Sequence, residues 1–234
     1  MTKLIQTKKI NQYTFEVTLN RPEKLNALTK PMWKKLGSIF RDLSKKKFKD
    51  VRCIVIRGKG KKSFSPGNDI REFEKSRSSS KLAKAYGVYL HGTLSAIQEC
   101  PIPTVALIEG ICVGGGFEIA ACCDMRICGT SSRFGVPIKR LGLTMAPKEI
   151  QALLELVGRS VTMEILLEGK IFNSKEAYEK GLVNRVVSDS DVEKETYATA
   201  ERICDGAPMV ARWHKEFADQ LLYKGKITDK LNNL

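Results

Sequence analysis

Histidine is scarce in this chain: the 234 residues contain two, His91 and His214. One falls in a helical segment and the other between Trp213 and Lys215, neither in a nucleophile arrangement, which argues against a Ser-His-Asp type triad. No His-x-x-x-His pair or carboxylate cluster at ligand spacing is present, so no metal is expected. No stretch approaches the roughly 20 apolar residues of a membrane span, and the start Met1 to Lys9 lacks the apolar core of a signal peptide. The expectation is a soluble, cytoplasmic protein with no membrane partner. Cys-x-x-Cys spacing is absent as well. The seven cysteines, Cys53, Cys100, Cys112, Cys122, Cys123, Cys128 and Cys204, are odd in number and sit mostly in apolar surroundings. They read as reduced core residues, not as a zinc site or a disulfide framework.

Acidic residues are also in deficit, 26 against 40 lysines and arginines, for a net charge of +14. No aromatic-interleaved basic stripe or nucleic-acid motif accompanies that charge, so nucleic acid is not the expected partner. Lys45, Lys46, Lys47 and Lys49 read as a solvated helix end. Arg57, Lys59, Lys61 and Lys62 crowd a glycine-containing loop just before the turn-rich segment Ser63 to Ile70, where they are expected to attract an anionic group.

Hydrophobic residues at 42% and charged residues at 28% are ordinary globular values. The length suits one large domain or a domain with an appendage. Tyr13 to Leu19 alternates as a strand, and Trp33, Leu36, Ile39, Phe40 and Leu43 recur at helical spacing behind Pro31. Val51 to Ile56 reads as a strand; Leu82, Tyr86, Leu90, Leu94 and Ile97 as the stripe of a long helix; Thr104 to Ile108 and Met125 to Cys128 as further strands. Strands alternating with helices predict an α/β fold with parallel pairing. From Pro147 onward the pattern is mainly helical, with a strand-like Leu182 to Val187. No internal repeat or interdomain linker is visible.

The most telling stretch is Gly110-Ile111-Cys112-Val113-Gly114-Gly115-Gly116-Phe117-Glu118. After an apolar strand and before a helix, three consecutive glycines suit a backbone that something must approach closely. The free N–H groups of the following helix face an oxygen that becomes negative during reaction. Glu118, in the first turn, is either an acid/base group or simply a favourable partner for the helix dipole. The spacing is not G-x-G-x-x-G and no Gly-Lys-Ser/Thr follows, so nucleotide binding of those kinds is not indicated.

Two segments together, Ser63-Phe64-Ser65-Pro66-Gly67-Asn68-Asp69-Ile70 and the glycine run continuing to Cys123-Asp124 and Phe134-Gly135-Val136-Pro137, resemble the crotonase superfamily, the enoyl-CoA hydratase/isomerase family. Leu19-Asn20-Arg21-Pro22, Asn26-Ala27-Leu28 and Gly181 to Val187 support the resemblance, which spans about residues 10 to 215. It implies an α/β spiral of ββα units over residues 1–190, a helical region over 191–234 that is shorter than in many relatives, and homotrimers or hexamers. It implies acyl-CoA thioester substrates and no cofactor beyond the coenzyme A they carry. By matching position, the backbone N–H groups of Asn68 and Gly115 form the oxyanion hole and Glu118 is the acid/base. Lys24, Pro66, Gly67, Asp69, Ile70, Arg71 and Gly114 lie along the coenzyme path.

The chain departs from the family at one catalytic position. Hydratases carry a second glutamate twenty residues after the first, and here that residue is Ile138. An alkyl chain supplies no proton, so double-bond isomerisation or a related proton transfer is expected in preference to hydration. Glu149 reads first as a helix first-turn acid and second as a substitute carboxylate. Hydration using Glu118 with Glu149 or water, decarboxylation of an acyl-CoA, and a weakly catalytic CoA- or RNA-binding protein are the alternatives.

Overall fold

The structure, a computed structural model, describes residues 3–45, 48–72 and 79–224. Lys46 and Lys47 of the first basic cluster lie outside the described residues, as do Met1, Thr2 and the polar end from Gly225.

Among the described residues, ten strands form two sheets. Ile5–Lys9 (β1), Thr14–Leu19 (β2), Cys53–Gly58 (β3), Ser63–Ser65 (β4), Thr104–Ile108 (β5), Ile111–Val113 (β6), Met125–Gly129 (β7), Arg133–Gly135 (β8), Phe172–Asn173 (β9) and Arg185–Val187 (β10) follow in chain order. The larger sheet has the order β1-β2-β3-β5-β7-β10, parallel except for the β1/β2 pair. The smaller has the order β4-β6-β8-β9, parallel except at β8/β9. The helices are Lys30–Leu43 (α1), Ser80–Gln98 (α2), Gly115–Ala121 (α3), Pro147–Glu168 (α4), Ser174–Glu179 (α5), Val192–Asp205 (α6) and Pro208–Lys224 (α7). Three consecutive turns, β3-β4-α2, β5-β6-α3 and β7-β8-α4, make the ββα spiral that the resemblance implied.

The middle strands of the large sheet, β3, β5 and β7, are buried on both faces, which is why they read as continuous apolar runs. Ile54, Ile56, Ala106 and Ile108 join the main core with Trp33, Phe40, Phe64, Phe117 and Phe134. The alternate residues Val55, Val105, Leu107 and Ile127 pack on the other face under α6, through Val192, Ala200 and Cys204. The first helix beyond residue 190 therefore closes the outer face of the sheet. All seven cysteines are buried and free.

Two expectations need correction. Leu82 is 47% exposed in the first turn of α2, so the buried stripe begins at Tyr86. The glycine run holds an additional strand: β6 occupies Ile111–Val113, and α3 begins at Gly115. The consecutive helices read after Pro147 are found: within Pro147–Glu168, Gly158 at φ 69° and ψ 177° separates one helical stretch from the next. No helix among the described residues is long and apolar enough to cross a membrane.

Candidate functional site

The site is assembled on the connection between β2 and α1. Leu25 and Asn26 both take left-handed backbone, φ 52° and 64°, a conformation asparagine tolerates better than most residues. The Asn26 side chain holds the turn: its Oδ1 accepts from Arg21 N–H at 3.0 Å and its Nδ2 donates to Ser63 O at 2.8 Å. Ser65 Oγ donates to Asn26 O at 2.9 Å and accepts from Gly67 N–H at 3.1 Å. The chain then forms a parallel bridge between Leu28 and Asn68. Leu28 N–H donates to Gly67 O at 2.7 Å, and Asp69 N–H donates to Leu28 O at 2.9 Å. In such a bridge the middle residue turns its own N–H away from its partner. Asn68 N–H therefore points away from Leu28.

The second loop meets the first at glycines. Gly114, at φ 53° and ψ −129°, takes a conformation reserved for glycine and delivers the chain into α3. Gly115 is the first helical residue, so its N–H has no acceptor within the helix. Gly67, at φ 95°, comes so near that a Cβ there would lie 2.7 Å from Gly115 N. With only seven residues, α3 contributes this local N–H far more than a long-range dipole.

The Asn68 side chain is clamped from two helices. Its Oδ1 accepts from Trp33 Nε1–H at 2.7 Å and from Tyr86 O–H at 3.0 Å. Trp33 on α1 is fully buried and Tyr86 on α2 nearly so, so the clamp rests on the core. Sequence reading missed both, since aromatic residues at helical spacing look like ordinary core.

A cavity of about 520 Å³ opens between these loops and α4. Asn68, Gly114, Gly115 and Glu118 line one side of it, and Glu149 lines it too. Glu118 is 5% exposed and Glu149 4%. Glu149 sits at the start of α4, where its Oε2 accepts from Ala146 N–H at 2.9 Å and its Oε1 lies 3.0 Å from His91 Nε2. Leu90, Val113, Val136 and Ile138 supply apolar wall. The burial that makes this wall also keeps the adjacent thiols neutral: desolvation, with the nearby Cys123 and Glu118 adding to it, pushes Cys122 up, and burial pushes Cys123 up to about 12.

At the rim, Lys24 and Arg71 border the cavity, and Arg140, which sequence reading missed, joins them. Pro66, Asp69 and Ile70 also line it, whereas Gly67 does not and acts from behind through its contact with Gly115. Asp69 is first of all a brace. Arg21 Nη1 donates to its Oδ2 at 2.6 Å, and that hydrogen bond holds the carboxyl below its ordinary range.

The basic loop before Ser63 does not face this cavity. Arg57, Lys59 and Lys61 line a different hollow on the outer face of the large sheet. Arg57 is engaged there by Glu109 at 3.0 Å and Glu193 at 3.2 Å. Alternation along β3 turns Arg57 to the side opposite Ile56, which sequence proximity to Ser63 concealed.

Comparison with known proteins places the architecture. The enoyl-CoA hydratase/isomerase family model matches residues 9–229. The crystal structure of an enoyl-CoA hydratase/carnithine racemase from Magnetospirillum magneticum matches with a TM-score of 0.95 at 40% identity, over 100% of this chain and 86% of that one. The short-chain-enoyl-CoA hydratase of Clostridium acetobutylicum is 30% identical over 200 residues, 86% of this chain and 75% of the relative. The mitochondrial Delta(3,5)-Delta(2,4)-dienoyl-CoA isomerase of Mus musculus is 31% identical over 222 residues, 90% and 67% respectively. The chain is an enzyme of the enoyl-CoA hydratase/isomerase family, in the crotonase superfamily.

Proposed function

We propose that the enzyme moves a proton between carbons of an enoyl-CoA thioester, isomerising its double bond. The observation that carries this reading is a buried carboxylate, Glu118, sharing a largely apolar cavity with Asn68 and Gly115, while Ile138 stands where hydratases carry their second glutamate. The N–H groups of Asn68 and Gly115 donate to the thioester oxygen. Their hydrogen bonds strengthen as negative charge gathers there, and losing one such donor costs about 10²–10³-fold in rate. Glu118 removes a proton from one carbon, and a proton returns at another.

Lys24, Arg71 and Arg140 place positive charge at the rim for the phosphates of coenzyme A. Pro66, Asp69, Ile70 and Gly114 line its path, with Gly67 shaping the loop from behind. The coenzyme arrives as part of the substrate, and the scheme uses no separate cofactor. A homotrimer or hexamer is supported by the apolar surface of α7, where Met209, Val210, Leu221 and Leu222 are all exposed. A cytoplasmic setting is supported by the seven free thiols. Hydration is the second reading, favoured by one observation: Glu149 lines the cavity together with Glu118, where Ile138 supplies no second acid.

Incubation with a panel of acyl-CoA thioesters in deuterated water, followed by mass spectrometry, separates the reactions. Isomerisation leaves product mass unchanged apart from exchanged hydrogen, whereas hydration adds a water. The expected result is isomerisation that falls by about 10²–10⁴-fold in Glu118→Gln with the fold intact by circular dichroism. Turnover unaffected by that substitution sinks the assignment.

A further inference from the structure

Glu149 has more structure around it than a helix first-turn acid requires. Its service to α4 needs one oxygen only, since Oε2 accepts the Ala146 N–H, and acids in that position ordinarily face water. This one is 4% exposed, lines the cavity, and holds a histidine on its other oxygen. A carboxylate is costly to bury unless partners hold it, and Ala146 N–H and His91 hold this one at the cavity wall. The His91 side chain, on α2, is 34% exposed and does not line the cavity. The pair therefore spans the distance from water to the cavity wall: an accessible imidazole, a 3.0 Å contact, and a buried carboxylate facing the substrate space.

We propose that His91 and Glu149 form a proton relay between solvent and the acyl group, in which Glu149 is a second catalytic carboxylate and His91 is the residue that positions and reloads it. This rests on the reading above, in which Glu118 begins the reaction. Glu118 takes a proton from the α-carbon of a 3-enoyl thioester. The C–H electron pair becomes a dienolate whose charge rests on the thioester oxygen between Asn68 N–H and Gly115 N–H. The dienolate collapses to the 2-enoyl thioester as its γ-carbon takes a proton from the Glu149 carboxylic acid. The resulting carboxylate is reprotonated by His91, which draws a proton from water, and Glu118 releases its own to water. One proton leaves the substrate and one enters, so the product is an isomer.

Three measurements in deuterated water test the relay: kcat and KM for a 3-enoyl-CoA, deuterium at the γ-carbon, and the response to added imidazole. The wild-type enzyme is expected to place solvent deuterium at that carbon. His91→Gln, at a partly exposed position, is expected to lower kcat by about tenfold or more, with KM little changed and less label in the product. Free imidazole, reaching the vacated position, should restore kcat. Glu149→Gln, which keeps an acceptor for Ala146 N–H, should lower kcat further and not respond to imidazole. Unchanged rate and labelling in His91→Gln, or a loss that imidazole does not restore, overturns the relay while leaving the role of Glu118 standing. Failure of the wild-type enzyme to turn over any enoyl-CoA overturns both.

Discussion

At the scale of single residues, the site depends on how closely two backbones approach, and Gly67 is the test of that. A methyl group there meets Gly115 N at 2.7 Å on a backbone with φ of 95°, so either the loop or the start of α3 must move. Strain at such a position costs about 1–3 kcal/mol. A displacement on the order of 1 Å at the donor costs about 10²-fold in rate. Gly67→Ala is therefore expected to lower kcat far more than it lowers the melting temperature, which steady-state kinetics and thermal unfolding together will show. Residues of this kind were legible in the sequence because their chemistry is local: a glycine run, a following carboxylate, a Pro-Gly-Asn-Asp turn. His91 was not legible. Its partner Glu149 lies 58 residues away on another helix, and nothing around either residue signals the other. Trp33 and Tyr86 were hidden differently, since each is a core residue whose one polar atom happens to serve Asn68.

At the scale of elements, the legible strands were those long enough to show a pattern. Thr104–Ile108 is buried throughout and was read with its observed bounds, whereas β4, β6 and β8 have three residues each, too few for periodicity. β1 was missed because only Ile5 in it is buried. The short α3 needs support at its far end, and Arg126 provides it. The Arg126 side chain is buried and donates to Ala120 O at 3.2 Å, Cys123 O at 2.6 Å and Leu182 O at 3.0 Å. It thus joins the end of α3 to the segment leading into β10, and desolvation pulls its pKa down. Arg126→Met removes the donor that these buried carbonyls share and is expected to destabilise the fold by about 3 kcal/mol, measurable by urea unfolding. Activity should suffer too, because the carbonyls lie at the opposite end of the helix that carries Glu118.

At the scale of the whole molecule, the +14 charge is divided between faces with different uses. Arg57 on the outer face is met by glutamates, while Lys24, Arg71 and Arg140 surround the cavity. Raising ionic strength from 0.05 to 0.5 M shortens the screening length to about a third. KM for an acyl-CoA is expected to rise several-fold with kcat nearly constant, and initial-rate measurements across that range will show it. The repeat of the architecture was invisible in the sequence because each ββα turn repeats a path and not a set of residues. That path has a consequence for how the molecule comes into being. The cavity takes the turn before α1 and one piece from each winding: the loop after β4, the start of α3, and the segment from Val136 into α4. Windings join through pairs such as Ile54 with Thr104, and contacts so distant along the chain form late and slowly. During refolding, activity should be the last native property to return. A substrate that touches every winding ties them together, so its occupancy opposes unfolding of the entire spiral and not of one loop.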